Sequence, residues 1–352
     1  MAAGISEIKI GTLPDGREIK KFCLRNAQGA QASFLNLGAS WIAFKLSEHE
    51  PSLVLGSTNL AAFINQQAYL GATIGRYANR IRNGRFSLNN QIIQLDKNQS
   101  PHHIHGGRDG ISFKVWHSHI RLEDNRPILS LHCLSKDGES GFPGNVDINL
   151  TISLTESNGV RFHYKASTDK PTIINLTNHA YFNLDGYRLG HLNNHEFKLY
   201  SSTYLDTDAS GIPTGLLINA CDDSALNLTQ WKNINTELSE LTEPQLALCE
   251  GYDHCFCYEN DNQLKTMAAA RSRVSGRQLI CRSNLPGMQF YTANFLQGTH
   301  IGDGECYRRH GAFCFEPGFW TDSPNHAHFP DCSIDADNGY SAIIEYSFSE
   351  SE

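Results

Sequence analysis

Residues 146–166 read VDINLTISLTESNGVRFHYKA, and their alternation decides the fold class. Val146, Ile148, Leu150, Ile152 and Leu154 share one parity; Asp147, Asn149, Thr151 and Ser153 share the other. A period of two separates apolar from polar side chains only in an extended chain, whose successive residues point to opposite sides. Val160, Phe162 and Tyr164 repeat the pattern after Asn158-Gly159. The two runs therefore predict a β-hairpin closed by a tight turn.

Outward from this hairpin the same signature recurs in short pieces. SWIAFKL (40–46), SFKVWHSHI (112–120), HEFKLY (195–200) and YSAIIEYSF (340–348) predict further strands. RFSLNNQIIQL (85–95) predicts a second hairpin, turning at Asn89-Asn90. Helical periodicity is weak, with short candidates at 58–67 and 223–241. Many short strands separated by Gly, Asn, Asp and Pro turns indicate an all-β sandwich. No fixed-period repeat or low-complexity linker interrupts the chain, so a single domain over residues 1–352 is expected.

Bulk properties exclude several classes. A net charge of −8 argues against a nucleic-acid partner, which needs a basic stripe facing phosphates. No apolar run approaches the roughly 18 residues of a membrane span, and the N-terminus does not read as a secretory signal. The ten cysteines are scattered without a CxxC pair, which suits reduced thiols in a cytoplasmic protein.

The sequence contains no GxxxxGK[ST] phosphate loop and no GxSxG elbow. Gly302-Asp303-Gly304 lacks both the third glycine and the βαβ setting of a dinucleotide site, and reads as a turn. His103 and His105 form an HxH pair without the acid a jelly-roll metal site needs; His191/His195 and His326/His328 are likewise incomplete sets. Neither a metal nor a cofactor is expected.

Polar and aromatic groups crowd together beside small residues in four segments: GATIGRYANRIRNGRF (71–86), HHIHGGRDGISFKVW (102–116), NLTNHAYFNLDG (175–186) and CFEPGFWTDSPNH (314–326). GYDHCF (251–256) and MQFYTANFL (288–296) add further polar groups. Planar polar side chains orient sugar hydroxyls, and aromatic rings pack on the less polar face of a pyranose. Taken singly, these residues have blander readings: an Asn-His in a loop commonly caps backbone, and Arg80 alone would be a surface ion pair.

In order along nearly the whole chain, IGRYANRIRNGRF, IHGG, NLTNHAYFNLDG, IPTG (212–215), GYDH, QFYTANF and CFEPGFWTDSPNH resemble the aldose 1-epimerase, or galactose mutarotase, family. The resemblance implies a large antiparallel β-sandwich with an open cleft and few short helices. It also implies exchange of α and β anomers of free hexoses such as galactose and glucose. In proteins like these the glutamate of the last motif, here Glu316, takes the proton from the anomeric hydroxyl. The histidine of NLTNH, here His179, protonates the ring oxygen. His105, Asn79, Arg80, Tyr181, Asp253 and Gln289 are similar to positions that hold the sugar. The implied partner is a small sugar, with the protein a monomer or homodimer.

The chemistry is reasonable on its own terms. Opening a hemiacetal requires removing a proton from O1 and adding one at O5, which a carboxylate and an imidazolium do together. A nearby carboxylate is expected to raise the protonated fraction of the histidine. The chain departs from the commoner pattern at Pro317-Gly318, at Tyr77 and at the additional His102 and His103. Three other readings use similar parts: a hexose-6-phosphate 1-epimerase drawing on Arg76, Arg80, Arg82 and Arg85, a non-catalytic sugar-binding module, and a glycosidase.

Overall fold

The computed structural model describes residues 2–221, 224–302 and 304–350. The hairpin that decides the fold class is present as Val146–Leu154 and Gly159–Thr168, paired without a register shift from Val146↔Thr168 to Leu154↔Val160. Its turn is longer than a two-residue turn at Asn158-Gly159. Asn158 alone takes the left-handed conformation (φ 57°), and Gly159 already belongs to the strand. The second hairpin, Arg85–Leu88 with Gln91–Gln94, turns as expected at Asn89 and Asn90, both at positive φ.

These strands join a nine-stranded antiparallel sheet. Its order is His117–Glu123, Arg126–Ser135, Val146–Leu154, Gly159–Thr168, Tyr340–Glu350, Arg277–Ser283, Lys265–Ser272, His195–Leu199 and Lys232–Asn233. A four-stranded meander, Gly4–Thr12 through Ser40–Lys45, packs on one part of its inner face. There Trp41 of the meander lies 5.6 Å, centroid to centroid, from Phe162 and from Tyr346. A five-stranded sheet packs elsewhere, ordered Pro213–Asn219, Thr203–Thr207, Asp253–Cys257, Gly287–Tyr291 and Cys314–Gly318. Its Phe290 meets Phe197 of the large sheet at 5.1 Å. The alternation of the sequence is thus spent on one continuous aromatic and aliphatic core, each large side chain gaining about 1.5–3 kcal/mol from burial.

The helical expectation at 58–67 narrows to Leu60–Asn65, capped by Asn59, whose side chain accepts from the Ala62 amide. Of 223–241, only Asn235–Glu240 is helical, and residue 223 lies outside the described residues. Pro244–Cys249 is a helix that periodicity did not announce; Pro244 at its start presets φ for the first turn. The run 112–120 is corrected in part. Its beginning lies in a 3₁₀ turn, Ile111–Phe113, and the strand starts only at His117.

Candidate active site

Strand parity builds the floor of the cleft. In Cys314–Gly318, Phe315 faces the core, so Cys314 and Glu316 face the opposite way. Glu316 pairs with Gln289 on the next strand, and Tyr291 pairs with Asp253 on the one after. One face of three adjacent strands therefore carries Glu316, Gln289, Tyr291 and Asp253, while Phe315, Phe290 and Phe256 line the other.

His179 follows the short strand Thr177–Asn178, and its backbone is held by an amide bond to Ala72 O (2.8 Å) and a carbonyl bond from the Gly71 amide (2.9 Å). These contacts set its ring over the floor, with Nε2 3.8 Å from Glu316 Oε1. Nδ1 faces Cys314 Sγ at 3.6 Å. His105, itself at φ 52°, lies 5.5 Å ring to ring from His179 and accepts the Asn79 amide at Nδ1 (3.2 Å). Asn79 Oδ1 in turn accepts the Arg80 amide (2.8 Å). The Arg80 guanidinium reaches Gln99 Oε1 (2.9 Å) and Asp253 Oδ2 (3.5 Å). Gln289 donates Nε2–H to Asp253 Oδ1 (2.6 Å), leaving its Oε1 buried without a protein partner. A buried, unpaired acceptor in a cleft floor is a place for a ligand hydroxyl.

All eight residues expected from the sequence line a single open cleft of about 1250 Å³. That exceeds the roughly 300–1,000 Å³ typical of small-molecule sites. Tyr181 departs from a purely hydroxyl-binding part. Its ring stacks on His179 at 4.9 Å, and its hydroxyl donates to Ala68 O (2.9 Å). Tyr69 and Cys314 belong to the site but carried no expectation. Tyr69 sits at φ 53°, a strained conformation for a large residue, with its ring 4.8 Å from that of His105. Cys314 and Tyr291 could have been found by counting two residues from Glu316 and Gln289. Nothing local marks Tyr69.

His102 and His103 are structural. His102 Nδ1 accepts the Asn83 amide (3.0 Å), and His103 Nδ1 lies 2.8 Å from Asp96 Oδ1. The HxH pair therefore does not converge on one ligand position.

Burial dominates the electrostatics of the floor. It pushes the Glu316 carboxyl well above the usual carboxylate range; the Asp253 charge adds to this and Arg80 opposes it. It holds His179 down to about 4, only partly offset by its own backbone hydrogen bond and by Asp253. The expected effect of a neighbouring carboxylate has the right sign, through Asp253, but burial outweighs it. Removing both groups from water disfavours each charged form more strongly than the field of Asp253 restores the imidazolium.

Comparison with known proteins gives the family. The aldose 1-epimerase family model matches residues 20–347. The aldose 1-epimerase of Escherichia coli (strain K12) is 33% identical over 341 residues, covering 95% of this chain and 96% of that protein. The galactose mutarotase of Mus musculus is 31% identical over 350 residues, 98% of each chain. Among solved structures, a galactose 1-epimerase from Lactobacillus acidophilus NCFM superposes over the full length of both chains with a TM-score of 0.88, at 23% identity. The match of the family model across nearly the whole length, with relatives above 30% identity, makes this chain a member of the aldose 1-epimerase family of isomerases.

Proposed function

We propose that the protein interconverts the α and β anomers of free hexoses such as galactose and glucose, with Glu316 as base on O1 and His179 as acid on O5. The observation that carries this reading is the 3.8 Å approach of His179 Nε2 to Glu316 Oε1 at the floor of an open cleft. A proton transferred from the carboxyl to the imidazole creates both charges together, each only partly offsetting the cost of burying the other. The resulting carboxylate is a stronger base, and the imidazolium a stronger acid, than either would be in water. Glu316 takes the O1 proton as His179 gives one to O5, the ring opens, and the aldehyde turns about C1–C2. Reversed transfers close the other anomer. Arg80, Asp253, Gln289, Asn79 and His105 supply the donors and acceptors that would hold the hydroxyls, while Tyr181 supports the His179 ring.

The arginines of the IGRYANRIRNGRF motif do not form a free phosphate fork. Arg76 is buried against Ser135, Lys136, Pro143 and Thr172. Arg82 is turned toward Pro213 O, Asp208 and Asp322. Of the four arginines in the motif, Arg80 lines the cleft, and it already faces Asp253. A dianion would want an arginine fork free of such a carboxylate. We also infer a cytoplasmic location, supported by ten free thiols, and one domain, supported by a core cluster drawing on Phe22 through Phe348.

Polarimetry of freshly dissolved α-D-galactose tests the reading. Catalytic amounts of protein should speed the decay to an unchanged final rotation. No acceleration with galactose, glucose or other free hexoses would overturn it.

A further inference from the structure

Cys314 takes no part in the proton transfers, yet it completes a set of ligands. Its sulfur, a ring nitrogen of His179 and a carboxylate oxygen of Glu316 all lie within 4.8 Å of one another, and all three residues are buried. Cys314 and Glu316 reach the same point because they are two apart on one strand, and His179 comes from the segment packed across it. A buried cysteine usually packs among apolar atoms and stays inert. This one turns its sulfur to an imidazole nitrogen at 3.6 Å.

One thiolate, one imidazole and one carboxylate form a ligand mix suited to zinc, and three protein ligands leave a fourth position open. We propose that the floor of the cleft is a binding site for a borderline-soft divalent cation, best matched by zinc, held by Cys314 Sγ, His179 and Glu316 with its open position toward the cleft. Tetrahedral zinc at ordinary bond lengths holds its ligand atoms about 3.4–3.6 Å apart, so the trio closes by roughly 1 Å on binding. The thiol proton and the Glu316 carboxyl proton both leave to solvent, and no electron is transferred. The metal ties up the Glu316 carboxylate and fixes the His179 imidazole as an uncharged ligand, so it blocks anomer exchange; that consequence rests on the function proposed above, whereas the site itself does not.

Cobalt(II) tests the site directly. Reduced, chelator-treated full-length protein titrated with Co²⁺ should develop thiolate-to-cobalt charge-transfer absorption that saturates at one equivalent and is bleached by Zn²⁺. A Cys221→Ser/Cys306→Ser variant, lacking the two exposed thiols, should keep the band. Cys314→Ala should lose it, and Glu316→Gln should bind at least tenfold more weakly. Absence of the band in the folded wild type, its persistence in Cys314→Ala, or its loss in the Cys221/Cys306 variant would overturn the site. Should Cys314→Ala not fold, the Glu316→Gln affinity and the Cys221/Cys306 variant decide. In the polarimeter, zinc should abolish anomer exchange. A protein that shows the band but exchanges no anomers with or without zinc would retain the metal site and lose the proposed reaction.

Discussion

Phe315 and Glu316 are neighbours in sequence with opposite surroundings. Behind the five-stranded sheet, Phe315 packs against Phe313 at 5.0 Å and Phe290 at 5.6 Å in the hydrophobic core. In front of it, Glu316 shares a floor with His179, Gln289 and Asp253, where Gln289 Oε1 is buried without a protein partner. Stability is concentrated on one face and reactivity on the other, and the backbone between them is common to both. A polar group kept buried and under-paired is a cost to folding, tolerated where a ligand completes it.

Substitutions on the two faces should therefore fail differently. Glu316→Gln should lower kcat for anomer exchange by about 10²–10⁴-fold, the usual worth of one acid or base, with the unfolding midpoint unchanged or raised. Full activity in this variant would sink the role assigned to Glu316. Phe315→Ala should do the reverse in denaturant titrations, losing about 3–5 kcal/mol of stability while the folded protein keeps its KM. Equal loss of stability in both variants would contradict the division between faces.

The two arginines of the IGRYANR motif repeat the contrast at lower amplitude. Arg76→Met should cost about 1–3 kcal/mol in stability, because it strips a donor from the buried carbonyls of Ser135, Lys136 and Pro143. Arg80→Met should instead raise KM, with little change in the unfolding midpoint.

Acid should act on the core side. His195 and His254 are buried and held down to about 4, chiefly by burial, and each accepts a backbone amide, from Leu184 and Asp253 respectively. As pH falls through their unfolded value of about 6.5, the unfolded chain takes up protons that the folded chain refuses. Stability then falls by about 1.4 kcal/mol per pH unit for each histidine, levelling off near pH 4. Asp322, raised to about 6 by burial, opposes one of the two below that value. The shifts of His179 and Glu316 run in opposite senses, so their effects on acidification oppose each other. A net loss on acidification is expected in urea titrations at stepped pH. Smallest of all, His102→Gln should cost less than about 1 kcal/mol and leave kcat unchanged, since this ring serves only the Asn83 amide.

Much of this was readable from residue order. Alternation located the central hairpin and the 85–95 hairpin, because both features are local. The family motifs brought Glu316, His179, His105, Asn79, Arg80, Tyr181, Asp253 and Gln289 to one cleft, since those segments carry both chemistry and turn geometry. Other features depend on contacts far apart in sequence. Tyr340–Glu350 lies beside Gly159–Thr168, a pairing no local pattern specifies. Arg76 and Arg80 look alike in the motif, and only the carbonyls around the first distinguish a packing residue from one in the cleft. The lowered protonated fraction of His179 follows from burial, which alternation does not measure.

Odd and even matter more in this site than distance does. Glu316 and Cys314, Gln289 and Tyr291, and Asp253 occupy matching positions on three hydrogen-bonded strands. Removing one residue between Ala312 and Phe315 while the upstream pairing held would exchange the faces, sending carboxylate inward and phenyl ring into the sugar cleft. Lengthening an exposed turn, such as Asn262 at φ 62°, by any number of residues leaves that parity intact. Lineages carrying this fold are therefore free to vary the lengths of their loops, while insertions and deletions inside these three strands would have to come in pairs.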